Sequence, residues 1–218
     1  SGNIVTINTN ATNVTGGEAQ GNAMGNTVTI NAAISDVTGG KSAGGEASGN
    51  TVTVGKVTVY HNINGGSGAT TKNNTVNING TTVRGTITGG TQADGTGNTL
   101  NVKGVNTAQN IGGFQKLHFD TTGATGTMLT LSDGTNKTKV NWNTLTAGGN
   151  GRNITLMRNN NGINLSGYTG AAKSVTTETT ETNVDVRKTG GTITEITYEG
   201  YQFKGVTTAT ADGGNLYG

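Results

Sequence analysis

Acid–base, nucleophilic and metal chemistry all need ionisable side chains brought together, and this chain has few. Its 218 residues include 12 Asp and Glu, 14 Lys and Arg, two His and no Cys. Before Asp120 the only carboxylates are Glu18, Asp36, Glu46 and Asp94. Glu18 and Glu46 read as occupying corresponding loops, with no basic partner recurring beside them. No acid pair falls at equivalent positions, so general acid–base work and paired-carboxylate glycoside hydrolysis lack candidates. Asp185 and Arg187 are two apart on a predicted strand and read as a surface ion pair. The run Gly148-Gly149-Asn150-Gly151-Arg152-Asn153-Ile154-Thr155-Leu156 follows the stacked calcium nonapeptide except that Asn153 stands for Asp, and it occurs once. His61 and His118 have no ligand-spaced partners, and the absence of Cys removes zinc–thiolate sites. The expectation is no catalytic, cofactor-binding or metal-ligating residue, no cofactor, and no enzyme activity.

One regular surface array remains. Thr27, Thr51, Thr75 and Thr99 recur at a fixed interval, as do Thr6, Thr29 and Thr53, continued by Asn77 and Asn101. Flat Thr-x-Thr arrays can match ordered water, but Ile4, Asn77 and Asn101 interrupt this one. Thr is in any case a favourable outward strand residue.

That interval is what organises the chain. Gly25-Asn26-Thr27-Val28-Thr29-Ile30 returns as Gly2-Asn3-Ile4-Val5-Thr6-Ile7, Gly49-Asn50-Thr51-Val52-Thr53-Val54, Asn73-Asn74-Thr75-Val76-Asn77-Ile78 and Gly97-Asn98-Thr99-Leu100-Asn101-Val102. The steps between successive Asn residues are 23, 24, 24 and 24. A second mark, Gly16-Gly17, Gly39-Gly40, Gly65-Gly66, Gly89-Gly90 and Gly112-Gly113, keeps similar time. Each copy alternates apolar and polar residues, the period-two pattern of a strand. A lone strand cannot bury its apolar side, whereas stacked copies can. Val5, Val28, Val52, Val76 and Leu100 then form one internal column, and Ile7, Ile30, Val54, Ile78 and Val102 a second. Val14, Val37, Ile63, Ile87 and Ile111, just before each Gly-Gly, give the inward residues of a second strand. After Gly-Gly a polar loop such as 41–48 leads to the next Gly-Asn. The fold expected is all-β: a right-handed parallel β-helix of about nine rungs with a period of about 24 residues, the hand following the preference of parallel crossovers. The repeating Asn either forms a hydrogen-bonded ladder or simply tolerates the turn.

Residues 1–113 hold the regular repeats, and 114–218 read as a less regular continuation of the same helix. In the second part, Leu129 to Ile154 and Val140 to Ile163 suggest that the rung length persists. Most aromatics fall there, implying a wider interior. Ser174–Asn183 reads as a protruding loop or hairpin, with a bulge or corner near Glu195. The end at Asp212–Gly218 carries no polar cap, so the chain reads as part of a longer polypeptide. Hydrophobic content of 30% and 39 Gly approach the composition of disordered chains, but the periodicity overrides this, because a thin solenoid needs only small inward residues. The net charge of +2 comes from scattered residues, which argues against nucleic acid as a partner. No apolar run is long enough to span a membrane as a helix.

The Gly-Asn-Thr-Val-Thr-Ile copies, the apolar strand into Gly-Gly and the loop to the next Gly-Asn resemble passenger domains of bacterial autotransporters, the type V secretion family. The stretch Asn98–Val102, Asn110–Phe119 and Gly126–Leu131 is similar to such passengers as well. The resemblance implies an adhesin-type β-helix displayed extracellularly on a bacterial cell surface, carried by a C-terminal membrane β-barrel outside this chain. It implies as partner a host or bacterial surface glycan or protein, or further copies of itself, as in biofilm. A polysaccharide-binding or polysaccharide-degrading β-helix is the alternative on the same scaffold. A filament of end-to-end rungs is a further possibility, because an uncapped end offers unpaired strand edges.

Overall fold

The computed structural model describes residues 1–90, 95–176, 180–203, 210–212 and 215–217. Among them the only helical element is a single 3₁₀ turn, Trp142–Thr144.

The first sheet contains seven parallel strands, one per turn: Ile4–Ile7, Thr27–Ile30, Thr51–Val54, Thr75–Asn79, Thr99–Lys103, Lys116–Asp120 and Leu145–Gly148. Its register stacks Val5, Val28, Val52, Val76 and Leu100, then continues to Leu117 and Leu145. The second column, Ile7 to Val102, continues to Phe119 and Ala147. The first column is sealed in the interior from Val28 to Leu145 and the second from Ile30 to Phe119, with Ala147 half-buried. The chain is therefore a parallel β-solenoid with a period of about 24 residues, as the repeats predict.

The second sheet carries the residues that precede each Gly-Gly pair. Val14, Val37, Ile63, Ile87 and Ile111 are in register turn over turn. A companion column, including Ile34, Val59 and Val83, faces the same interior.

The loop expected after each Gly-Gly is partly a third sheet. Ala23–Met24, Glu46–Ser48 and Thr70–Lys72 pair in parallel, and Glu18–Ala19 pairs with Lys41–Ser42. Its inward positions, Ala23, Ala47 and Thr71, are small and buried. They carry too little apolar bulk to mark a strand in the sequence.

The ladder reading of Asn holds. Asn26, Asn50, Asn74 and Asn98 are completely buried. Each side-chain amide donates to the Oδ1 of the next: Asn26 to Asn50 at 2.8 Å, Asn50 to Asn74 at 2.9 Å and Asn74 to Asn98 at 3.2 Å. The backbone N–H of each donates to that same oxygen, at 3.0, 3.0 and 2.9 Å. The second N–H of Asn50 reaches Ala23 O, and that of Asn74 reaches Ala47 O. An amide has two donors and two main acceptor positions, and Asn50 fills all four. At the top Gln115 takes over, its Oε1 accepting from Asn98 N at 2.8 Å. The residue before each ladder Asn is left-handed, with Gly25, Gly49 and Gly97 at φ between 62° and 70°. The fourth copy has Asn73 there, at φ 52°, which Asn tolerates better than most residues.

The solenoid makes seven turns rather than nine. The fifth is short, because the chain passes from Gly112 straight to Lys116 without a third-sheet strand. Leu100 and Leu117 are neighbours although only 17 positions apart. In the sixth and seventh turns the expected register shifts: Leu129 lies beside Met157 instead of Ile154, and Val140 beside Leu165 instead of Ile163. Alternation fixes which face a residue takes, but corner lengths fix which neighbour it meets.

Parallel stacking reaches Ser166. After it, Lys173–Thr176, Thr180–Thr189 and Thr192–Tyr198 pair antiparallel, and Thr192–Tyr198 lies antiparallel on Ile154–Asn159. The hairpin expected at 174–183 is therefore present, as Lys173–Thr176 against Thr180–Thr189. A second one that the sequence did not announce, Thr180–Thr189 against Thr192–Tyr198, covers the last turn, with Val184, Ile196 and Tyr198 buried. Gly190-Gly191 makes its two-residue turn with both φ positive, 55° and 83°, the geometry that right-twisted strands favour. The register slips at Thr194, next to the expected position.

Candidate binding face

The residues singled out for chemistry are dispersed by the fold. Among the described residues no group of three or more His, Asp or Glu could hold a metal ion. Asp94 lies outside the described residues. Glu18 and Glu46 do not correspond: Glu18 aligns with Lys41, and Glu46 with Thr70. Contrary to the sequence reading, a basic partner does recur, supplied by the next turn. Lys41 lies 2.8 Å from Glu18 and Lys72 lies 2.6 Å from Glu46. The Lys72 ammonium, with help from Ser48, lowers the Glu46 pKa. His61 is exposed at a corner and places Nδ1 2.9 Å from Asp36 on the preceding turn.

Asp185 and Arg187 do not pair with each other. Asp185 accepts from Val186 N, while Arg187 reaches Glu195 at 3.4 Å and shares it with Arg158 at 2.7 Å. The cross-strand neighbour is nearer than the residue two along. In the nonapeptide-like run, Asn150 accepts from Gly123 N, and Asn153 takes the left-handed conformation at φ 53°. Its residues serve a corner.

What the solenoid does assemble is the outward face of the first sheet, in three straight ranks. The first runs Thr27, Thr51, Thr75, Thr99, Lys116. The second runs Thr6, Thr29, Thr53, Asn77, Asn101, His118, Thr146. The third includes Asn79, Lys103 and Asp120. Groups along a rank are one strand spacing apart, about 4.8 Å. The second rank is a hydrogen-bonded row. Asn101 Nδ2 donates to Asn77 Oδ1 at 2.8 Å, Asn77 Nδ2 donates to Thr53 Oγ1 at 3.1 Å, and His118 Nδ1 meets Thr146 Oγ1 at 2.9 Å. In the third rank Lys103 Nζ lies 3.0 Å from Asp120 Oδ2. Asp120 is held at a pKa of about 2, first by the Thr122 hydroxyl, then by Lys103 and by Thr122 N–H.

The search among known proteins adds nothing to this geometry. No protein-family model, curated protein or solved structure matches the chain.

The sequence singled out the Thr array but not its continuation into Asn79, Lys103, His118 and Asp120. The signal was available in the alternation of Lys116-Leu117-His118-Phe119-Asp120, but the 17-residue step hid the register that joins it to the earlier copies. Among the described residues no helix is long and apolar enough to cross a membrane.

Proposed function

We propose that this chain is a rigid, non-catalytic β-solenoid that serves as structural and adhesive surface of an extracellular protein, of the kind that autotransporter passengers display on bacterial cells. The observation that carries this reading is the continuous outward face of the first sheet. Seven turns in register hold hydroxyls, amides and a few charges in fixed rows, while the buried Asn ladder and the apolar columns lock the backbone behind them. A surface with fixed spacing and little internal freedom loses little entropy on engaging a partner. The carboxylates Glu18, Glu46, Asp120 and Glu195 are committed to cross-turn or cross-strand cations, an arrangement suited to bracing turns.

The test is deletion of residues 1–218 in frame from the parent gene in the producing organism, scoring cell attachment and cell–cell aggregation. Loss of either is expected. Unchanged attachment and aggregation, with the remaining protein still displayed, would reject the adhesive reading.

A further inference from the structure

The binding face contains a trough that runs along the solenoid axis. Its walls are two outward ranks: Asn77, Asn101 and His118 on one side, Asn79, Lys103 and Asp120 on the other. Val54, Ile78 and Val102 also line it. Their side chains are buried, so they floor it with backbone and Cα–H. The trough, open to solvent along its length, has a volume of about 240 Å³. Beyond the Asn79–Lys103 wall lies a second hollow of about 380 Å³. There the Lys56 side chain passes over Gly80 and Val105 stands 61% exposed.

We propose that this trough takes a linear, anionic glycan laid parallel to the solenoid axis. The inference rests on the adhesive reading and names its ligand class. Three properties of the trough select the occupant. It crosses four turns, from Thr53 to His118, a length of about 14 Å at the strand spacing. An occupant that uses all of it must be an extended polymer with a repeat near one strand spacing, and pyranose rings in an extended chain satisfy this. The lining is mostly C–H, with few polar atoms from the Asn, Thr and Lys103–Asp120 side chains at its edges, which suits the C–H faces of sugar rings with their polar groups at the rim.

A peptide strand would need free backbone groups, but the backbone here is used between turns, as in Thr75 N to Asn50 O and Thr99 N to Asn74 O, both 2.8 Å. A nucleic acid strand would stack on aromatic rings, and no Phe, Tyr or Trp lines either hollow. Charge sets the sign. Within the trough Asp120 is matched by Lys103. On its flanks, Lys56 in the second hollow and Lys116 in the Thr99 rank form no ion pair among the described residues, so the surface on either side is cationic.

The row of amides does not consume itself. Asn77 and Asn101 each spend one N–H on the preceding residue of the rank, which leaves a second donor on each for a sugar hydroxyl or carboxylate.

The probes are polygalacturonate oligomers of two to eight sugars, with cello-oligosaccharides of equal length as uncharged controls, titrated into the purified chain by calorimetry. Affinity for the anionic series should rise to about four sugars and then level off, matching the ~14 Å trough. It should also weaken several-fold between 50 and 300 mM salt, as screening requires. The double variant Lys56→Gln, Lys103→Gln should lose at least tenfold. Lys41→Gln, Lys72→Gln, which removes two cations from the short strands that follow the Gly-Gly corners, should leave affinity unchanged. Circular dichroism and the thermal midpoint identify any variant that fails to fold, and Asn101→Ser, a milder change in the same wall, then serves in its place with a several-fold loss expected. No binding of any anionic oligomer, equal binding of the neutral series, or equal losses in both double variants would each overturn the proposal. If deletion of the segment abolishes attachment while no glycan binds, the adhesive reading stands and this inference falls. If the glycan binds and deletion changes nothing, the reverse holds.

Discussion

Gly40 is packed against the side chain of Asn50: a Cβ placed on Gly40 would lie 2.7 Å from Asn50 Cγ and 2.6 Å from its Oδ1. Gly17 and Gly66 stand in the same relation to Asn26 and Asn74. The two periodic marks of the sequence, Asn and Gly-Gly, are therefore two sides of one contact. The corner must be glycine because the ladder amide occupies the space where a side chain would go.

Gly40→Ala should accordingly destabilise the chain by about 1–3 kcal/mol, the usual cost of forcing atoms into a packed interior. Gly44→Ala, whose Cβ would meet only Gln20 O at 3.8 Å, should be nearly neutral. Urea midpoints of the two variants check this, and equal shifts would refute the interlock.

Asn50→Ala should cost about 2–4 kcal/mol, because it strands Asn26 N–H, Asn26 Nδ2 and Ala23 O in the interior. Asn31→Ala, which breaks only an exposed amide contact to Asn8, should cost a few tenths. Asn50→Asp should be worse than Ala at pH 7 and recover as the pH is lowered. A buried carboxylate facing the Asn74 and Ala23 oxygens is easier to hold protonated. Thermal midpoints across pH 4–8 read this directly.

Acid should loosen the second half through Asp133. Its carboxylate accepts from Asn136 N at 2.9 Å, Thr135 N at 2.8 Å and Asn110 Nδ2 at 2.9 Å. The Asn136 and Thr135 N–H groups, in that order, are the largest causes holding its pKa at about 2, below the ordinary 3.8. A carboxylate depressed on folding favours the folded state above its unfolded pKa, and that contribution is lost as the pH falls from about 4 to about 2. Asp133→Asn should therefore reduce the pH dependence of the urea midpoint in that window. A wild-type minus variant gap that stays constant from pH 7 to pH 2 would contradict it.

Lys173 closes the carbonyl end of the 3₁₀ turn, with Nζ 2.6 Å from Trp142 O, 2.9 Å from Leu145 O and 3.2 Å from Asn143 O, and 5.6 Å from the centre of the Trp142 ring. Lys173→Met leaves three carbonyls without their donor. A loss of about 1–3 kcal/mol is expected, with faster amide exchange confined to the last turn and the hairpin. Lys188→Met, at an exposed position, is the control and should change neither.

Much of the interior was legible because it repeats. Val28, Val52 and Val76 share one environment, and a period seen five times predicts vertical neighbours without any knowledge of the corners. The third sheet was not legible, since Ala23, Ala47 and Thr71 face inward with side chains too small to show alternation. The antiparallel end was half legible: the hairpin at 174–183 was expected, the one that turns at Gly190-Gly191 was not. Gly190-Gly191 has the same letters as Gly39-Gly40, yet the first pair is chosen for left-handed φ and the second for lack of a side chain. The candidate face was read as far as Asn101. Lys103 extends it by the ordinary 24-residue step from Asn79, whereas His118 and Asp120 join it only through the shortened fifth turn.

The sequence by itself determined the strand period, the two apolar columns and the identity of the corner residues, because steric and burial constraints act locally and recur every turn. Only the tertiary structure decided where the coil stops, which residues of the last turns are neighbours, and which ions meet. Those outcomes depend on corner lengths summed along the chain, and one shortened turn changes every partner beyond it.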